Sequence, residues 1–377
     1  MIYMDHNATT PILPVAVKAM MRWLTAKYGN ASSAHSMGQE ARDAVELARS
    51  TIAYLIGAKT EEIYFTSGGT EADNWAILGS YTFRVGIMVS AIEHHAVLKA
   101  SRRIKYPYRV ILPVDGTGRL SIPHLKGELN SREKGRYMIS VMHANNETGM
   151  IQPIKKVSEL AHEHNDIVHT DAIQAFGKFP VNVKDLDVDM MSISAHKIGG
   201  PKGVGALYVK KLTAISPFIT GGHQERDMRA GTENVAGIVG FAAAAQWCYE
   251  NMDILGDYLI MRKKLLDGIT SQLDDVKLNT VLLDHSIANT LNLGFKGVDS
   301  EALVMLLDQE GICVSNGAAC ESGVSEPSHV LMAMGRSPGE ARSAIRFSLG
   351  HTNTVEEVDI VVEAVVRLVK MLRGGAG

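Results

Sequence analysis

Lys197, in the stretch SISAHKIGGPKG, stands where an amine can react rather than merely carry charge. A lysine drawn partly out of water gives up its proton more readily and can condense with a carbonyl group. The ordinary alternative is a solvated lysine. Its neighbours favour chemistry, because Ser194 and His196 can both donate hydrogen bonds to a phosphate. Asp171 follows the run IVHT, where a carboxylate can pair with a protonated ring nitrogen or simply cap the next turn. TSGGTEADN, residues 66–74, sets two glycines and Thr70 where a strand turns into a helix. Free N–H groups and the positive end of a helix dipole suit a phosphate there, and glycine lets the backbone approach closely. The plain alternative is a strand–helix turn with Thr70 as N-cap. The segment matches neither GxGxxG nor the Walker pattern, which disfavours a nucleotide fold.

His94 in AIEHHAV can lie flat on an aromatic group and move protons, whereas His95 reads as structural. Arg346 in SAIRFSLG sits inside an apolar run, where it grips either a planar anion or an internal carboxylate. Cys320 in SNGAACESG lies in an aperiodic segment with the composition of a mobile loop, suited to a thiol that attacks a group and carries it away. Cys313 and Cys248 fall in apolar patterns and are expected to be buried and inert. Three cysteines in 377 residues make no disulfide framework, and no pair has zinc-ligand spacing.

These residues need a frame. The chain alternates short β-rich runs with helical stretches, which predicts an α/β fold with a mostly parallel central sheet flanked by helices. Strands are expected over 63–65, 85–89, 109–114, 137–141, 167–169, 190–193 and 206–209. Polar clusters follow five of them: TSGGTE, AIEHH, HANNETG, TDAIQ and SAHK. Ligands of open α/β sheets bind at the carboxyl ends of strands, so these clusters point to one shared site. Residues 39–56 read as an amphipathic helix with Gly57 placed to end it. From about Gly256 the character changes to a long helix, a mixed segment and a closing helix near Val355, with Thr354 and Glu357 as its capping box. A net charge of -3 gives no footprint for nucleic acid, and no apolar run is long enough to span a bilayer. The opening MIYMDHNATT shows neither a basic leader nor an apolar core, so a cytoplasmic location is expected.

Ten stretches together carry a resemblance: YMDHNATTP, YGNASSAH, FTSGGTEADN, EHHAV, MHANNETG, HTDAIQAFGK, SAHKIGGPKGVGALYV, GGHQERDMRAGTEN, SNGAAC and IRFSLG. In this order, over nearly the whole chain, they resemble the class V aminotransferase family of pyridoxal-phosphate (PLP) fold type I, and within it the cysteine desulfurases of the NifS/IscS kind. The resemblance implies PLP as cofactor and removal of sulfur from L-cysteine, leaving alanine and a persulfide on Cys320. It implies that Lys197 binds PLP covalently and moves the α-proton, that His94 stacks on the ring, that Asp171 pairs with the pyridine nitrogen and that Gln174 bonds the phenolic oxygen. Gly69, Thr70, Ser194 and His196 are implied to hold the phosphate, with Thr232 from a second subunit of a homodimer. Asn146 and Arg346 are implied to bind the substrate carboxylate.

The same resemblance implies a large PLP-binding domain over 15–255, a smaller α/β domain over 256–377 bearing the cysteine loop, and an N-terminal segment, 1–14, packed on the small domain. The Ser-x-Gly-x-Ala spacing before Cys320 resembles the longer-loop subgroup, which passes sulfur to protein acceptors for Fe–S cluster assembly or tRNA thiolation. Three positions depart from the family's pattern: Ala318 for Ser, Ala31 for Pro, and Glu321, whose carboxylate beside Cys320 disfavours the thiolate. Two other readings stay open: a selenocysteine lyase or related C–S lyase at the same site, and a non-catalytic scaffold using Cys320 to hold a partner or an Fe–S cluster.

Overall fold

In a computed structural model, residues 1–104, 108–132, 135–281, 285–316 and 326–374 are described. Twelve strands occur among them: β1 (Ile2–Tyr3), β2 (Ile63–Thr66), β3 (Gly86–Ser90), β4 (Arg109–Leu112), β5 (Tyr137–Ser140), β6 (Ile167–Asp171), β7 (Met190–Ser194), β8 (Gly205–Val209), β9 (Val276–Leu278), β10 (Thr290–Phe295), β11 (Ile312–Cys313) and β12 (Ala344–Ser348). Runs such as GIMVS in β3 and MMSIS in β7 are buried throughout rather than alternating. That pattern belongs to a sheet covered on both faces.

The large sheet has the spatial order β2-β8-β7-β6-β5-β3-β4. β4, β3, β5, β6 and β7 pair in parallel, while β8 runs antiparallel to both β7 and β2. The expected mostly parallel sheet is therefore present, with β8 reversed. Because β2 runs the same way as β7, the carboxyl ends of β2, β3, β5, β6 and β7 share one edge. The helix expected over 39–56 spans Ser36–Leu55 and buries Val45, Ala48 and Ile52. It packs on Val235–Glu250, which also receives Pro14–Leu24; the small residues Ala236, Gly237, Gly240, Ala244 and Ala245 of Val235–Glu250 are buried and allow close helix approach.

A second apolar core forms farther along the chain. β12, β10 and β9 make a small antiparallel sheet. Helices Ile254–Thr270 and Val355–Gly374 cover it, joining Leu265, Leu291, Phe295, Ile345 and Val365 in one cluster. Met4 belongs to this cluster, and β1 pairs in parallel with β11. The closing helix carries the expected capping box, since the Glu357 N–H donates to Thr354 Oγ1 at 3.4 Å and the Thr354 N–H to Glu357 Oε2 at 3.3 Å. Among the described residues, no helix is long and apolar enough to cross a membrane.

Candidate active site

The carboxyl edge of the large sheet opens into a cleft of about 690 Å³. Gly69, Thr70, His94, Asn146, Asp171, Gln174, Ser194, His196, Lys197 and Arg346 all line it. Residues separated by up to 277 positions thus meet in one space. Thr232 is exposed and does not line this cleft. Cys320 lies outside the described residues.

β6 and β7 deliver the central groups. His169, two residues before Asp171, bridges Ser140 and Ser192 at 2.9 Å each, which ties β5, β6 and β7 together beneath the site. Asp171 ends β6 with its carboxylate buried, accepting the Ile173 N–H at 2.9 Å. It therefore caps the turn while also facing the cleft. Burial pushes its carboxyl up to about 6, against the Ile173 N–H and the Lys197 charge, which favour ionisation. Lys197 follows β7 in a short 3-10 turn, and its Nζ donates to the carbonyls of Asn7 at 2.6 Å and Ala8 at 2.8 Å. Burial, with Arg346 nearby, lowers its ammonium to about 8, although Asp171 and Asp5 oppose that shift. An amine so placed is free base in about a tenth of molecules at neutrality, far more than an ordinary lysine.

His94 is the N-cap of helix His95–Ser101, and its Nδ1 accepts the Ala96 N–H at 3.1 Å. Burial and the Lys197 charge lower its imidazolium to about 4, so the ring is neutral and carries its proton on Nε2. His95 packs instead against His329, with ring centroids 4.7 Å apart.

The other end of the cleft presents a helix N-terminus and hydrogen-bond donors. Helix Gly69–Tyr81 begins there, capped by Gly68 at φ 153° rather than by Thr70. That backbone conformation favours glycine. A side chain at Gly69 would lie 2.1 Å from Ile173 Cδ1, so its glycine lets the turn close against the Asp171 segment. Ser194 Oγ is buried with no hydrogen-bond partner, an arrangement that costs free energy unless a ligand accepts from it. His196 Nδ1 meets Thr9 Oγ1 at 3.2 Å, and burial plus Lys197 lower its imidazolium to about 4. Helix N-terminus, small residues, an unpaired hydroxyl, a buried carboxylate and an amine of lowered proton affinity fit a phosphorylated heteroaromatic aldehyde such as PLP.

Arg346, on β12, grips an internal carboxylate and still reaches the cleft. Its Nη2 donates to Asp5 at 2.5 Å and its Nη1 to the Asn146 carbonyl at 3.1 Å, while Nε is buried without a partner. Neither remaining cysteine is fully buried, contrary to expectation: Cys248 packs at the edge of the large core, and Cys313 alternates with the buried Ile312 and Val314. Both thiols are nevertheless held up, Cys248 to about 12 by burial and Cys313 by burial and Asp308.

Several groups were not legible in the sequence. Asn7 is buried and joins Lys197, Gln174, Lys178, Asn146 and Thr290 by hydrogen bonds. Asp73 is fully buried, and burial with Asp171 nearby holds its carboxyl well above the usual range. Glu93, beside His94, is pushed up to about 8 by burial. Position within the motifs TEADN and EHHAV was the available signal for the last two, but burial depth depends on strands that arrive later in the chain.

Comparison with known proteins agrees with this geometry. The family model "Aminotransferase class-V" matches residues 2–361. The chain is 42% identical over 380 aligned positions to "Cysteine desulfurase IscS" of Clostridium botulinum strain Hall, covering 99% of this chain and 95% of that one. Among solved structures, a "NifS-like protein" superposes with a TM-score of 0.90 at 37% identity, covering 98% and 99% of the two chains. "SspA in complex with cysteine" superposes with a TM-score of 0.80 at 31% identity, covering 93% and 99%. The family match over nearly the whole length, on the fold and cleft described, shows that this chain belongs to the class V aminotransferases.

Proposed function

We propose that the chain is a PLP-dependent cysteine desulfurase, which removes sulfur from L-cysteine, releases L-alanine and keeps the sulfur as a persulfide on Cys320. One observation carries this reading. Lys197, Asp171, His94 and the unpartnered Ser194 hydroxyl converge at one sheet edge, in a chain 42% identical to a relative named cysteine desulfurase.

Gly69, Thr70, Ser194 and His196 would hold the phosphate, Asp171 the ring nitrogen, Gln174 the ring oxygen and Lys197 the reactive carbon. PLP, when bound, supplies an electron sink for charge left at the substrate's α-carbon. Lys197 then takes and returns the α-proton, a task that its lowered proton affinity suits. His94, neutral with Nδ1 engaged, offers Nε2 for proton exchange with the substrate thiol. Arg346 and Asn146 would orient the substrate carboxylate, and the unpaired Nε of Arg346 supports this. At Cys320 the substrate's C–S bond breaks and an S–S bond forms, while the carbon that loses sulfur gains a proton. Electrons balance without an external oxidant, and the thiolate is the attacking form.

The reading includes a homodimer in which Thr232 reaches the partner's phosphate site. Exposure of Thr232, away from its own chain's cleft, supports this. It also includes the division into 1–14, 15–255 and 256–377, which the two separate cores support. It further includes a cytoplasmic location and a protein sulfur acceptor in Fe–S assembly or tRNA thiolation. A Cys320→Ala variant tests the central step. It is expected to bind PLP with wild-type affinity and to form no alanine from cysteine, whereas wild-type alanine production by this variant would overturn the persulfide route.

A further inference from the structure

Lys178 is buried beside the cleft, and nothing in the reaction above uses it. Its Nζ donates to Gln174 Oε1 at 2.5 Å and to Asn7 Oδ1 at 2.7 Å. The amide nitrogen of Gln174 therefore points the other way, donating to the Asn7 backbone carbonyl at 2.8 Å. That same carbonyl accepts from Lys197 Nζ at 2.6 Å, so the NH₂ end of Gln174 stands next to the reactive amine.

An amide group has the same shape in both orientations, and only its partners decide which end donates. Here the choice is forced from both sides. The Lys178 amine donates to the oxygen of Gln174, and the Asn7 carbonyl accepts only from its nitrogen. Asn7 is itself fixed, because its Nδ2 donates to the Asn146 carbonyl at 3.1 Å and to Thr290 Oγ1 at 2.8 Å, while its Oδ1 accepts from Lys178 and from Asn289 Nδ2 at 3.2 Å. Burial, with Lys197 and Arg346 nearby, holds the Lys178 ammonium well below the usual lysine range. Lys178 thus acts through its N–H donors more than through charge.

We propose that Lys178 is a positioning residue that locks the Gln174 amide with its N–H toward the cleft, so that Gln174 meets the cofactor's ring oxygen as a donor and never as an acceptor. This rests on the reading of the cleft as a PLP site. A donor at that oxygen draws charge from it and lowers the proton affinity of the group conjugated with it. Freed of Lys178, the amide turns over in part of the population, and both cofactor affinity and that proton affinity change.

A double-mutant cycle separates this role from a merely structural or electrostatic one. Lys178→Met, Gln174→Leu and the double variant are purified with PLP, and two quantities are measured for each. These are the PLP dissociation constant by equilibrium dialysis and the pH midpoint of the visible absorption of the PLP-bound protein. Lys178→Met is expected to weaken PLP by about fivefold to tenfold, the scale of one hydrogen bond. It is also expected to raise the pH midpoint, Gln174→Leu to do the same, and the double variant to add nothing further. A folded Lys178→Met protein with wild-type values overturns the proposal. So does an equal shift on adding Lys178→Met to the Gln174→Leu background, which would mean that Lys178 acts without Gln174. Should Lys178→Met not fold, Lys178→Ala, which removes the donor and leaves room for water, carries the same cycle. Failure of the wild-type protein to take up PLP removes the site reading and this proposal together, whereas a normal wild-type band with unmoved variants removes only the proposal.

Discussion

On the proposed reading, Lys197 must be an amine when it meets a carbonyl and an ammonium when it returns a proton. Burial and Arg346 bring its titration down to about 8, into the range where both forms are populated. The rate of PLP uptake by stripped protein should therefore rise with pH through a midpoint near 8, because the free amine is the reacting form. Stopped-flow absorbance across pH checks this, and a midpoint near the ordinary lysine value of about 10.4 would show that burial is not acting on Lys197. Ser194 allows a cleaner separation of binding from folding. Its Oγ makes no hydrogen bond within the described chain. Ser194→Ala should leave the unfolding free energy of the PLP-free protein within about 0.5 kcal/mol of wild type. The same change should weaken PLP by about fivefold to tenfold through the lost phosphate donor.

At the scale of elements, the sequence was most informative where apolar period and polar strand ends coincide. The main-sheet strands were expected within a few residues of their observed spans, and the clusters following them proved to line one cleft. The closing helix was legible from Thr354 and Glu357 because a capping box is local. Long-range partners were not legible. Nothing near Asn7 announces Lys178, and nothing near Arg346 announces Asp5, because each pair is separated by more than 170 residues. The segment before Thr232 shows the same limit. Glu225, Arg226 and Asp227 have φ of 47°, 57° and 64°, a left-handed run without glycine. A bidentate pair between Arg49 and Glu225, at 2.6 and 2.8 Å, holds the first of them. Arg229 then binds Glu71 at the rim of the cleft, at 2.8 and 3.0 Å. Arg49→Met leaves the Glu225 carboxylate buried without its partner, and urea denaturation should show a loss of about 3–5 kcal/mol. A loss below about 1 kcal/mol would mean that the strained turn does not depend on this pair.

At the scale of the molecule, the cleft draws on both cores. Asp171 and Lys197 come from the large sheet, Arg346 comes from the small one, and the segment after β1 crosses between them with Asp5 bound to Arg346 and Asn7 bound to Lys197. The homodimer reading makes a specific prediction. In a mixed dimer of one Lys197→Ala subunit and one Thr232→Ala subunit, a site shared between subunits has wild-type Lys197 and wild-type Thr232 together once. Such a dimer should therefore hold one PLP with wild-type affinity, whereas the Thr232→Ala homodimer binds about fivefold more weakly. If Thr232 served its own subunit, no wild-type site would appear. The central claim is sulfur transfer to Cys320, and the most direct measurement is peptide mass spectrometry of the PLP-loaded protein after brief exposure to L-cysteine without reductant, with alanine assayed alongside. One added sulfur on the Cys320 peptide, matched by one alanine per site, is the predicted result. An unmodified Cys320 peptide and no alanine, with PLP bound, would contradict it.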